Sequence, residues 1–170
     1  RYVYAMSQGG NVSYIDRKTG KTTYIQPTHP DSVQLRFHWN AAIAQNPFHD
    51  CGIYFGSQFV HKSLDCGQSW EIISPDLTTN DSLKQLQHLS GGLTIDDTEA
   101  ENHTTILAIA PSPVDEDVIW VGTDDGKLQL TRDGGRNWTN LADRLPDARP
   151  NSWIPYIEVS QKNADRKSVV

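Results

Sequence analysis

The sequence predicts an all-β chain of repeated four-stranded antiparallel units, a partial β-propeller of about three blades. An eight-residue pattern, (S/T)-x-D-x-G-x-x-W, occurs twice, at Ser63-Leu64-Asp65-Cys66-Gly67-Gln68-Ser69-Trp70 and Thr131-Arg132-Asp133-Gly134-Gly135-Arg136-Asn137-Trp138. The residues ahead of the two copies also align: Ile43 with Ile109, Pro47 with Pro113, Tyr54 with Trp120 and Gly56 with Gly122, all at an offset of 66 (109 − 43). A third opening follows at 153–160, where Trp153 and Ile157 match Trp39 and Ile43 at an offset of 114 (153 − 39).

Each unit reads as a meander of four short strands, A to D. In the later complete unit the reading places A at 105–110, B at 117–123, C at 127–132 and D at 137–141. Asp124-Asp125-Gly126 is a strong hairpin signal between B and C. The earlier unit gives A at 40–45, B at 52–57, C at 59–63 and D at 69–73. Ahead of it, 2–6, 11–15 and 22–25 read as B, C and D of a degenerate blade whose C–D turn, Asp16 to Lys21, lacks the Trp and which no strand A precedes. At the other end, 152–160 reads as a further strand A and 167–170 as the start of a B. The expected divisions are a degenerate blade at 1–33, a blade at 34–76, an inserted D–A loop at 77–104, a blade at 105–146 and the start of another at 147–170. Closed propellers have roughly four to eight blades. The expectation is therefore a segment of a longer protein, with the remainder of the propeller as its partner. Open edges could also pair copies of the chain, 152–160 of one beside 2–7 of another.

Each residue of the repeated octet solves a local problem of a tight turn. A hydroxyl (Ser63, Thr131) opens the pattern, the carboxylate (Asp65, Asp133) accepts bonds from turn N–H groups, and the glycine (Gly67, Gly135) supplies a positive φ. The indole (Trp70, Trp138) opens strand D and is expected to be largely buried against the turn. The octet resembles the Asp-box, or bacterial neuraminidase repeat, of sialidases, xyloglucan-hydrolysing propellers, sortilin-type receptors and photosystem II assembly factors. That resemblance implies an architecture rather than an activity. A more specific similarity covers about 34–141. Large bacterial proteins with sortilin-like propellers and no assigned activity show an Arg-aromatic-x-Trp-Asn entry, here Arg36 to Asn40, then a box, then a stretch like Ser74 to Asn80. It implies an exported protein, extracellular or periplasmic.

Composition fits many short strands with polar turns: 12 Gly, 9 Pro, 36% hydrophobic residues and a mean hydropathy of −0.56. The net charge of −6 and the scatter of Lys and Arg argue against nucleic acid. No apolar run approaches the roughly 20 residues of a membrane span. With neither a C-x-x-C nor a Cys/His cluster, no metal or other cofactor is expected. Cys51 and Cys66 fall in turns at one end of the same unit. Turns two strands apart start about 10 Å from each other, beyond disulfide range unless the loops lean together, so the pairing stays open. Asn-x-(S/T) sequons stand at Asn11, Asn80, Asn102 and Asn137.

Ligand-binding candidates fall at the end of the sheets opposite the boxes, where B–C turns and D–A connections meet. Arg36, His38, Trp39 and Asn40 place a cation, an imidazole, an indole and an amide at the entry to strand A. The alternative for Trp39 is packing between blades, and for Arg36 an ion pair with an acidic neighbour. Asp124 and Asp125 face the same side, although Asp-Gly at a hairpin is also explained by turn geometry. The inserted connection, with Asp96, Asp97, Glu99 and Glu101, is either a functional loop or a solvated acidic one.

No catalytic residue is assigned. A sialidase site needs three clustered arginines, a Tyr nucleophile with a Glu partner and an Asp acid, whereas Arg132 and Arg136 lie in a box on the wrong end. A xyloglucanase-like site needs two carboxylates facing across a cleft. The reading is a non-catalytic scaffold or ligand-binding segment of a larger exported protein, with carbohydrate or peptide as ligand. The alternatives are part of a glycoside hydrolase whose catalytic residues lie mostly elsewhere, and a sortilin-like peptide receptor.

Overall fold

A computed structural model describes residues 2–86, 102–145, 149, 151–164 and 166–169. Acidic positions 96, 97, 99 and 101 of the inserted connection lie outside that set. Residues 82–85 form a turn, with Lys84 N–H donating to the Asp81 carbonyl at 3.1 Å.

The described residues form antiparallel meanders in chain order. The first sheet is β1 (Tyr2–Ser7), β2 (Asn11–Asp16) and β3 (Thr22–Tyr24). The second is β4 (Ile43–Gln45), β5 (Ile53–Gly56), β6 (Val60–Ser63) and β7 (Glu71–Ile72). The third is β8 (Ile106–Pro111), β9 (Ile119–Thr123), β10 (Leu128–Thr131) and β11 (Thr139–Asn140). The last pair is β12 (Ile157–Val159) and β13 (Lys167–Val169). This is the all-β partial propeller that the repeat predicts.

The core lies between the sheets. In β5, Ile53 and Phe55 pack toward the first sheet with Val12, Ile25 and Phe37, while Tyr54 packs toward the third with Ile106, Ile119 and Val121. β9 repeats the division: Ile119 and Val121 face back, and Trp120 faces forward to Ile154 and Ile157. Successive side chains point to opposite faces of a strand, so a strand covered on both faces is buried along its whole length. β1, by contrast, alternates between exposed and half-buried residues.

Glycines set the spacing of the inner strands. A Cβ on Gly56 would stand 2.8 Å from Ile106 Cγ2, and one on Gly122 would run into the Ile154 carbonyl. Each close approach carries a backbone bond between sheets, Ile106 N–H to the Ser57 carbonyl (2.8 Å) and Ile154 N–H to the Thr123 carbonyl (3.0 Å). The aligned Gly56 and Gly122 are therefore contact points for the next unit's strand A.

Both octets form the β6–β7 and β10–β11 turns. Ser63 Oγ accepts the Gly67 N–H (2.8 Å) and Asp65 accepts the Ser69 N–H (2.9 Å) and hydroxyl (2.7 Å). Thr131 accepts the Gly135 N–H (2.9 Å), and Asp133 accepts the Asn137 N–H (2.9 Å) and side-chain amide (2.6 Å). These bonds, the Ser69 and Asn137 side chains foremost, hold both carboxyls down at about 2. The indoles depart from expectation, being half-buried rather than largely buried. They lie across the seam to the preceding sheet: Trp70 Nε1–H donates to the Ile25 carbonyl (2.7 Å) and Trp138 Nε1–H to the Ile73 carbonyl (3.0 Å).

Cys51 and Cys66 form a disulfide, with Cα atoms 4.5 Å apart rather than the roughly 10 Å that flat strand spacing gives. The loops lean together because Cys66, at φ +62°, donates its N–H to the Cys51 carbonyl at 2.9 Å. The third sheet makes the same bond without cysteines, Gly134 N–H to the Asp117 carbonyl at 3.0 Å.

Candidate functional site

The candidate residues meet where the segments entering β4, β8 and β12 converge with the β5–β6 and β9–β10 turns. Three of the charged candidates spend their hydrogen bonds inside the fold. Arg36 Nη2 reaches Asp76 Oδ2 (2.7 Å) and its Nε–H donates to the Thr104 carbonyl (3.2 Å), joining the exit of the second sheet to the entry of the third. Asp124, 0% exposed, accepts the Thr105 N–H (2.9 Å) and hydroxyl (2.7 Å). Asp125, 2% exposed, accepts the Thr79 N–H (2.6 Å) and the Thr123 hydroxyl.

Burial raises the Asp124 pKa above the usual carboxylate range, although the Thr105 bonds pull against it. Among the described residues the equivalent β5–β6 turn uses an amide instead. Gln58, also buried, accepts the Arg36 N–H (2.8 Å) and donates to the Gln34 carbonyl (3.0 Å). Buried polar groups need partners, and both turns use theirs to fasten loops.

His38, Trp39 and Asn40 remain toward solvent. Trp39 is 53% exposed in this segment. His38 is half-buried, and that desolvation, opposed by Asp124 and reinforced by His103, lowers its pKa. Its Nδ1 accepts the Asn40 N–H at 3.1 Å, so the neutral ring carries its proton on Nε2. Asn40 is exposed in the turn that Trp39 opens.

Two further residues join this cluster that the sequence did not mark as site residues. Trp153, 58% exposed, stands edge-on to His38 with ring centroids 5.1 Å apart and planes at 87°. Its signal was present in the 114-residue offset that pairs it with Trp39. His103 follows Asn102, whose side-chain amide donates to the Phe37 carbonyl (3.1 Å) and so lays the segment beside His38. The next residue, Thr104, is buried at φ +60°. A β-branched residue there costs about 1–3 kcal/mol and persists only when its surroundings hold it. Gln85 to its hydroxyl (2.9 Å) and Arg36 to its carbonyl do so.

No family model matches the chain, and no curated protein does. Solved structures do. A GH74 enzyme from Niastella koreensis superposes with a TM-score of 0.58 at 15% identity, over 93% of this chain and 22% of its own. The GH74 xyloglucanase of Xanthomonas campestris gives 0.51 at 20% identity, over 83% and 19%. YCF48, solved bound to a D1 peptide, gives 0.51 at 15% identity, over 94% and 42%. The chain is a β-propeller segment. It spans well under two thirds of the length of each of these chains, and at such identities the likeness is one of fold.

Proposed function

We propose that the chain is a non-catalytic segment of a larger exported propeller, with a ligand-binding face at the entries to β4, β8 and β12. The Asp-boxes at 63–70 and 131–138 act as staples between blades, and the rest of the propeller is the segment's partner. The observation that carries this is the fate of Asp124 and Asp125. Both are buried and both are committed to backbone N–H groups and hydroxyls, so neither can serve as the acid or base that glycoside hydrolysis takes from a pair of carboxylates. What faces solvent is aromatic. Export is supported by the Cys51–Cys66 disulfide, since such bonds persist in oxidising compartments.

The competing reading is part of a glycoside hydrolase, which the GH74 superpositions favour at the level of fold. Incubating the chain with xyloglucan and with sialosides, and measuring released reducing ends or sialic acid, tests whether this segment itself supplies the catalytic residues. No turnover is expected. Turnover that Asp124→Asn abolishes would establish the hydrolase instead.

A further inference from the structure

Trp39 and Trp153 stand at equivalent places, four residues ahead of β4 and β12, and both leave more than half their surface in water. The other tryptophans are used by the fold: Trp120 is core, and Trp70 and Trp138 staple sheets. His38 braces Trp153 edge-on and presents an Nε2–H donor beside it. His103 Nδ1, alongside, is buried with no hydrogen-bond partner among the described residues. Buried polar atoms are rarely left so, and a ligand hydroxyl or a bridging water is the usual remedy.

The nearby charges are already spent, Arg36 on Asp76, Asp124 on Thr105 and Asp125 on Thr79 and Thr123. The entering backbone is spent as well, Ile106 and Ile154 being bonded to the neighbouring sheets. Arg36 is thus unavailable to an anionic ligand, and an extended peptide finds no free strand edge at Ile106 or Ile154. A pyranose ring asks for what remains: a flat apolar surface for its C–H face and a few neutral donors for its rim hydroxyls.

We infer that this face binds a neutral saccharide chain, with sugar rings stacked on Trp39 and Trp153 and hydroxyls bonded by the His38 and His103 imidazoles. The inference rests on the ligand-binding reading above and specifies its ligand.

The test is calorimetric titration, with tryptophan fluorescence, of the chain against cellohexaose and mannohexaose, against an acidic oligogalacturonate, and against a proline-rich peptide. The neutral hexasaccharides should bind and quench. Trp39→Ala and Trp153→Ala should each weaken binding by about tenfold, as expected for the loss of one aromatic contact. Melting should stay unchanged, because both side chains are exposed. His38→Gln keeps a donor and should retain more affinity than His38→Ala.

Binding of only the acidic sugar or the peptide would overturn the neutral-saccharide assignment while leaving the ligand-binding face in place. Neutral-sugar binding untouched in the tryptophan variants would overturn the site. Absence of binding throughout would overturn the inference. The non-catalytic reading fails separately, through release of reducing ends.

Discussion

His61 and Asp124 are both buried titratable groups, and acid acts on them in opposite directions. His61 bonds the Ser57 hydroxyl through Nε2 at 2.8 Å, and burial, with the nearby His29 charge, pushes its pKa down to about 3 from 6.5. The unfolded chain therefore takes up a proton that the folded chain refuses. The stability contributed by neutral His61 is present above pH 6.5 and is lost as the pH falls from 6.5 toward 3. Asp124 has a raised pKa, so protonation favours the folded chain. Asp65 and Asp133, held at about 2, withdraw their support only below 3.8. The expected outcome is an acid limb that starts near pH 6.5, well above the carboxylate range, and costs on the order of a few kcal/mol by pH 4. Replacing His61 with Gln should flatten that limb in pH-dependent thermal melts. An unchanged limb in the variant would show that His61 does not set it.

At the scale of elements, the octet turns couple strands to a neighbouring sheet as well as to each other. Trp138 is half-buried and its N–H is shared by the Ile73 and Gly135 carbonyls, both at 3.0 Å. Trp138→Ala should therefore cost about 2 kcal/mol, less than the roughly 3–5 of a fully buried tryptophan. Urea melts check this, and a loss below 0.5 kcal/mol would mean that the staple carries no load. Strands were legible in the sequence because the repeat could be read against itself: β4 to β11 fall inside the segments that the 66-residue alignment and the octets predict, save that β8 runs one residue further, to Pro111. The disulfide was less legible, since flat strand spacing ignores the leaning of the turns that the Cys66–Cys51 backbone bond produces. The candidate site was half legible. Residue type and position picked out His38, Trp39 and Asn40, but whether a carboxylate faces solvent or a neighbouring loop depends on contacts across sheets. Asp124 bonds Thr105 and Asp125 bonds Thr79, both on connections that no local pattern ties to the Asp124–Gly126 turn.

The molecule as a whole is an array in which each sheet is completed by the next. Its three core clusters lie between successive sheets, so stability depends on how closely the inner strands approach. Gly122 is the clearest gauge of that approach. The Ile154 carbonyl and side chain occupy the space that a Cβ would need, and Ile154 N–H donates to the Thr123 carbonyl beside it. Backbone cannot swing aside as a flexible side-chain tip can, so Gly122→Ala must push the β12 segment away and open the layer formed by Trp120, Ile154 and Ile157. Overpacking of this kind typically costs about 1–3 kcal/mol. Gly56→Ala meets the branched Ile106 side chain and should fall at the lower end of that range. Hydrogen exchange localises the effect: Gly122→Ala should speed exchange at Ile154 and along β12 while leaving β2 and β5 unchanged. If both variants melt with the parent chain, successive sheets are not docked through their inner strands and the array is held elsewhere.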